Sequence, residues 1–353
     1  MTFSYASVCY GISVHSFKKK RISSVKSKSF GLNLLLIGSD GVKTKKKTVE
    51  YGKYGVYFIT PFFITFLIFQ FYPLIYTFFR SFIYEEKKGR NAVTEVFGLG
   101  NYTNYVFGAA GGGEVWYAIA VTVVMWLLNF IPQILLSLLL AAWFTDIRCK
   151  LKGMGAYKVI MYMPNIITAA TIAVLFFSLF DVHGSLTGVM RSLGIVGETE
   201  TVLNKGWWTL LIIAFIQFWM WYGNTMIVLI AGILGINPSL YEAAMVDGAS
   251  SRQQFFKITV PLLKPILQFT MVTSAIGGLQ MYDIPALLNK GGPVVQMGDA
   301  AVMSTTTIVM LIKSYVSGGN KQNFGRASAY SIILFAITLV VSMVFYKLTD
   351  EKN

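Results

Sequence analysis

Charge is scarce in this chain. Asp, Glu, Lys and Arg make up 13% of its 353 residues, against roughly 25% in a soluble domain. Hydrophobic residues supply 55%, aromatic residues 15%, and mean hydropathy is +0.59. So few charges exclude an ordinary soluble surface and point to a protein that crosses a membrane several times. Acid is scarcer still, 16 Asp and Glu against 30 Lys and Arg. A proton-coupled pump ordinarily holds an Asp, Glu or His well inside a span. Here the acids near the apolar runs stand toward their ends, as Asp181 and Asp283 do. Cysteine is nearly absent: Cys9 and Cys149 are far apart and fit neither a disulfide framework nor a metal site. His15 and His183 are isolated. There is no GxxxxGK[ST] loop, no HExxH and no GxSxG, so the sequence offers no catalytic residue, no metal site and no phosphate cradle of its own. The formal net charge of +14 does not indicate nucleic-acid binding, because the basic residues lie between apolar runs and in a tail instead of on one soluble face.

What is present is long apolar runs. Six are read as membrane helices, at Tyr57–Phe79, Trp116–Trp143, Val159–Phe180, Trp207–Leu234, Ile266–Leu288 and Ala327–Tyr346. Each approaches or exceeds the roughly 20 residues that cross a hydrocarbon core. The expectation is an all-α membrane protein, residues 55–347, flanked by a basic tail (1–54) and a short tail (348–353). Lys18–Arg21 and Lys43–Lys47 are basic clusters that suit anionic lipid. Tyr54, Tyr57, Trp116, Tyr117, Trp207 and Trp208 crowd run ends, where rings favour the headgroup zone. With both termini in the cytoplasm, 20 of the 30 Lys and Arg fall on the inside, as the positive-inside bias requires. All of that excess comes from the N-terminal tail, whose 11 basic residues removed leave 9 inside against 10 outside.

The span interiors are polar without being charged: Asn129, Gln133, Thr168, Gln217, Asn224, Gln268 and Gln280. Helical spacing brings Gln217, Trp221 and Asn224 near one face. Amides exchange hydrogen bonds and rings stack on sugars, so Asn129, Gln133, Gln217, Trp221, Asn224, Gln280 and Tyr282 are the candidate lining of a path for a neutral, hydrogen-bonding solute. Pro132 and Pro164 are positions where helices kink.

Between the fourth and fifth runs lies a polar segment, NPSLYEAAMVDGASSRQQFFKITVPLLKP, residues 237–265. It is expected to form two short helices joined at Gly248. Pro238 and Ser239 suit the first start, Gly248 the left-handed stop, and Pro261 and Pro265 the second end. Glu242-Ala243-Ala244, Asp247-Gly248-Ala249, Phe256, Ile258 and Pro261 resemble the EAA loop of ABC importer permeases. The likeness extends further. FQFYPLIYTFFRSF (Phe69–Phe82), GLGNYTNYVF (Gly98–Phe107), MPNIITAATIAVLFFSLFD (Met163–Asp181), GLQMYDIPALLNKGGP (Gly278–Pro293) and FGRASAYS (Phe324–Ser331) are similar to the maltose-type carbohydrate permeases over about residues 55–346. One departure is Arg326, where many relatives carry an aromatic residue.

The resemblance implies a six-span permease subunit of a carbohydrate importer in the cell membrane, with the EAA loop between helices 4 and 5. Its implied partners are a second, similar permease, two copies of a cytoplasmic ATPase and an extracellular solute-binding protein. ATP and Mg belong to the ATPase, and this chain binds no cofactor. Tyr241, Glu242, Ala243, Ala244, Asp247, Gly248, Ala249, Phe256 and Pro261 would form the coupling contact. The rival readings are a permease of the same type for glycerol phosphate, a stand-alone secondary transporter, and a membrane enzyme, which lacks a catalytic constellation here.

Overall fold

The computed structural model describes residues 52–88, 92–108, 112–146, 152–297, 300–318 and 322–349. The basic clusters, Cys9, His15 and Cys149 lie outside the described residues, as do nearly all of the 1–54 tail and residues 350–353. Residues 1–58 and 59–353 are separate units, and the second holds the packed helices and the cavity between them.

The described chain is mostly helical. α1 (Gly52–Phe66) runs through a π turn at Leu67–Phe71 into α2 (Tyr72–Arg80). A hairpin comes next, β1 (Ile83–Lys88) antiparallel to β2 (Ala92–Phe97), and then a π-helical segment, Asn101–Val106. α3 (Gly112–Thr145) leads to α4 (Met154–Ile166), α5 (Ala169–Phe180), α6 (Ser185–Ser192) and α7 (Gly206–Leu234). The segment 237–265 holds α8 (Pro238–Val246), α9 (Ser251–Gln254), a π turn at Phe255–Thr259 and α10 (Val260–Leu262). α11 (Lys264–Leu279) and α12 (Asp283–Asn289) precede a second hairpin, β3 (Val294–Met297) with β4 (Ala300–Met303). α13 (Ile308–Ser317) and α14 (Phe324–Thr349) complete the chain.

Five of these helical stretches are long and apolar enough to cross a membrane: Tyr54–Arg80, Gly113–Thr145, Ala169–Ser192, Gly206–Leu234 and Phe324–Lys347. A sixth is reached if the bent pair Ser251–Leu262 and Lys264–Asn289, at 65°, is taken as one span.

Several expectations need correction. The run 159–180 is not one helix. It breaks at Ile167, which is extended, and Thr168 restarts the chain as α5 by accepting the Thr171 N–H. The run 266–288 breaks at 280–282. Pro285, in the first turn of α12, has no N–H with which to continue a helix through residue 281. Pro261 does not end the second loop helix: it lies within α10, the chain turns at Leu263, and Pro265 opens α11. Two short hairpins also qualify the all-α reading. Pro132, in contrast, lies inside a continuous α3.

The core forms where α3 meets α7. Leu140, Ala141 and Phe144 pack against Tyr222, Met226, Leu229, Ile230 and Ile233. Val121 and Met125 join Ile213, Ile216, Ile172 and Phe176 in a second cluster. Small residues let backbones approach, as in other membrane bundles. A Cβ at Gly223 would lie 2.5 Å from the Met161 carbonyl oxygen, so α4 crosses α7 at that glycine. A Cβ at Gly278 would lie 2.0 Å from the Trp126 ring, so α11 closes on α3 there.

Candidate functional site

α3, α5, α7, α11 and α12 together wall a cavity of about 470 Å³. Asn129, Gln133, Gln217, Trp221, Asn224, Gln280 and Tyr282, the residues singled out as a path, all line it. Three elements explain why. α7 runs unbroken from Gly206 to Leu234 and presents Gln217, Trp221 and Asn224 along one side. α3 brings Asn129 and Gln133 one turn apart. The break after Leu279 frees Gln280 and Tyr282 from the helix, and both line the cavity.

The amides fall into two groups. Gln133 is committed to structure, its Nε2 donating to Thr225 Oγ1 at 2.7 Å. Asn129 Nδ2 donates to the Met125 carbonyl at 3.2 Å and keeps its oxygen available. Gln217, Asn224 and Gln280 make no side-chain hydrogen bond to another described residue, yet Gln217 is 9% exposed. Amides left unpaired at the wall of a cavity retain their capacity for a ligand or water, since a buried polar group without a partner is costly. Trp221 is 47% exposed and offers a ring beside them. The cavity carries no Lys, Arg or His in its lining, and its one acid is Asp283.

Sequence reasoning missed Thr270, Thr273, Ser274 and Gly277, which line the cavity from α11. Their signal was legible: they recur at helical spacing on one side of an apolar helix. The hydroxyls of Thr270 and Thr273 bond back to their own helix at 2.8 Å, and Ser274 Oγ accepts Trp126 Nε1 at 3.3 Å. Thr168 and Gln268 lie elsewhere. Thr168 caps α5, and Gln268 Nε2 donates to the Tyr346 carbonyl on α14.

The segment 237–265 is built differently. Asn237 caps α8 through Ser239 N–H at 3.1 Å, with Pro238 at the first helical position. Gly248 takes φ 78°, and Gly248 and Ala249 return their N–H groups to Met245 and Ala244. Ser250 and Gln253 form a capping box that starts α9. Tyr241 OH and Thr259 Oγ1, 2.9 Å apart, tie the two halves together. No residue of α8 is buried. Glu242, Ala243 and Asp247 are exposed, Ala244 and Ala249 half-buried, and Leu240, Met245, Val246 and Phe256 offer apolar surface, with Val246 at 88% exposure. Arg252 lies 5.9 Å from the Phe256 ring centre.

Among the described residues no group of three or more His, Cys, Asp or Glu could hold a metal ion. The comparisons bear on both regions. Residues 116–351 match the family described as binding-protein-dependent transport system inner membrane component. The chain is 30% identical to the trehalose/maltose transport system permease protein MalF of Thermococcus litoralis, over 87% of this chain and 97% of that protein. It is 28% identical to the lactose transport system permease protein LacF of Rhizobium radiobacter, over 86% and 96%. It is 27% identical to the arabinooligosaccharides transport system permease protein AraP of Bacillus subtilis, over 83% and 88%. A solved bacterial ABC transporter involved in the import of the acidic polysaccharide alginate has a chain of the same fold, with TM-score 0.64, 22% identity and coverage of 84% and 96%.

Proposed function

Because this chain belongs to the binding-protein-dependent inner membrane transport components, in their maltose-type carbohydrate permease branch, we propose that it forms half of the translocation path of an ATP-driven oligosaccharide importer. It is a multi-pass membrane transport subunit and not an enzyme. In this reading the chain crosses the membrane six times, with both termini and the 237–265 loop in the cytoplasm. The relatives' names, which specify lactose, trehalose, maltose and arabinooligosaccharides, support a carbohydrate cargo.

The observation that carries the proposal is the cavity: unpaired amides beside an exposed indole in a lining without basic side chains. Such a wall exchanges hydrogen bonds with hydroxyls and stacks on a pyranose face. It gives a phosphate ester nothing to pair with, which disfavours glycerol phosphate. It also lacks the buried acid–base relay of a stand-alone proton-coupled transporter.

Work enters at α8. Its exposed acidic and apolar residues suit insertion into a cleft of a cytoplasmic ATPase, two copies of which would serve this chain and a second permease. Glu242 accepts a charge-assisted hydrogen bond from a basic residue of the ATPase, Ala243 and Ala244 permit close approach, and Asp247, Gly248 and Ala249 set the turn. Tyr241 and Phe256 give apolar contacts to the same cleft, and Pro261 completes the coupling contact in α10. ATP and Mg stay on the ATPase, an external solute-binding protein delivers the sugar, and lipid surrounds the spans. The test is co-purification and uptake: the complex must contain an ATPase, and Gly248→Arg and Glu242→Ala should weaken its association or uncouple hydrolysis from uptake. Normal uptake by both variants would defeat the assignment.

A further inference from the structure

α8 and α11 are separated in the chain by the turn at Gly248, which is poorly made to carry a load. Gly248 takes φ 78°, and a Cβ there would meet no atom within 4 Å, so nothing packs against the turn at that residue. A side-chain tie bypasses it. Tyr241 OH, on α8, lies 2.9 Å from Thr259 Oγ1, 18 positions further along the chain. Thr259 is 5% exposed, so its hydroxyl depends on a protein partner. Gln254, also buried, donates its Nε2 to the Ala249 carbonyl at 3.2 Å and fastens the turn to α9.

Beyond Thr259 the chain is stiff. Pro261 lies in α10 and Pro265 in the first turn of α11, and each ring fixes its own φ. Between them Leu263 is fully buried, in one cluster with Leu229, Ile230 and Ile233 of α7. A Cβ at Gly232 would lie 2.8 Å from Leu263 Cδ2 and 2.4 Å from Ile266 Cδ1, so this corner bears directly on the α7 backbone. The helical stretches on either side of it meet at 65°. α11 then carries Thr270, Thr273, Ser274 and Gly277 to the cavity. We propose that Thr259 is a positioning residue: by holding the Tyr241 hydroxyl it makes 237–265 a single lever, which pivots at Leu263 and passes a displacement of α8 to the α11 wall of the cavity. This rests on the reading of α8 as the ATPase contact. The Tyr241 ring serves the cleft and its hydroxyl serves the lever.

The experiment uses the complete transporter, with its second permease and ATPase, in lipid nanodiscs. Cys9 and Cys149 are replaced by serine, and Thr273→Cys reports the α11 wall through its rate of labelling by a maleimide. A nonhydrolysable ATP analogue with Mg should change that rate while Thr259 is intact. Thr259→Val, which keeps the shape and loses the hydroxyl, should cut the change about fivefold, the factor one hydrogen bond carries. The ATPase should still co-purify with it. Tyr241→Phe should cut the change as far, the double variant no further, and Thr259→Ser should keep the full response. An undiminished response in Thr259→Val, or losses that add in the double variant, overturns the proposal and leaves the coupling contact standing. So does the lack of any response in the Thr259 protein with its ATPase bound. Failure of that protein to hold an ATPase overturns both.

Discussion

The two ends of the bundle satisfy their side chains in opposite ways. At the far end from the 237–265 loop, Arg326 of α14 reaches Glu114 of α3 at 2.9 Å and Tyr330 OH at 2.7 Å, while Tyr315 OH donates to the same Glu114 oxygen. The guanidinium lies 4.4 Å from the Tyr105 ring centre and 4.2 Å from that of Tyr315. Burial, with Glu114 close by, raises the Tyr315 phenol well above the ordinary tyrosine value, so it stays a donor. Near the same end, Asn101 Nδ2 donates to the Ser81 and Ile83 carbonyls and fastens the first hairpin. The loop end relies on backbone caps and glycine and leaves the side chains of α8 facing out. The Arg326 cluster pairs its charges within the subunit. A region that presents an exposed helix with apolar side chains is shaped for a partner.

The contrast can be broken most severely at its glycines. A Cβ on Gly325 would lie 2.1 Å from the Ile83 carbonyl oxygen. Gly325→Ala should cost about 3 kcal/mol, the upper range of overpacking where a backbone must move, and appear as a lower unfolding temperature in nanodiscs. Next comes Arg326→Leu, which strands Glu114 and removes cation–ring contacts. Because Glu114 is partly exposed, the loss should be about 2 kcal/mol, measured in the same thermal assay, with Glu114→Gln costing less. At the loop end a methyl on Gly248 would meet no atom within 4 Å, but the residue keeps a positive φ. Gly248→Ala should therefore cost about 1 kcal/mol from backbone strain alone. It should show as faster limited proteolysis of the loop, with global unfolding unmoved.

The smallest effect is one of pH. Glu95 accepts both nitrogens of the Arg80 fork at 2.5 and 2.9 Å, and that bond holds its carboxyl below the ordinary 4.5. A depressed carboxyl contributes stability that is complete above its unfolded pKa and fades as pH falls through the folded value. Wild type and Glu95→Gln should differ slightly in unfolding temperature near neutrality and converge well below pH 4.5. A gap that persists in acid would detach the effect from the Glu95 charge.

Much of the fold was legible in the residues, for identifiable reasons. The run Trp207–Leu234 is α7 almost to the residue, because an uninterrupted apolar stretch in lipid must close its own backbone hydrogen bonds. Pro238 and Gly248 announced the start and stop of α8, because a proline in the first turn and a positive φ are local properties, whereas the cap itself proved to be Asn237. The candidate path was read from residue type alone, yet those residues line one cavity, since amides are tolerated in a span chiefly where they face something polar. The breaks at 167–168 and 280–282 were not seen, because hydropathy does not register a change of direction.

The sequence by itself determined that this chain lives in a membrane, which runs are apolar enough for it, and where the polar segment 237–265 must fold against its own caps. Those properties come from composition and from forces between neighbours in the chain. Only the tertiary structure decided that α11 breaks where Tyr282 reaches the cavity wall, that Lys313 rests on that ring, and that Arg326 finds Glu114 across 212 positions of chain. Such pairings depend on how helices cross, and no local preference encodes the crossing.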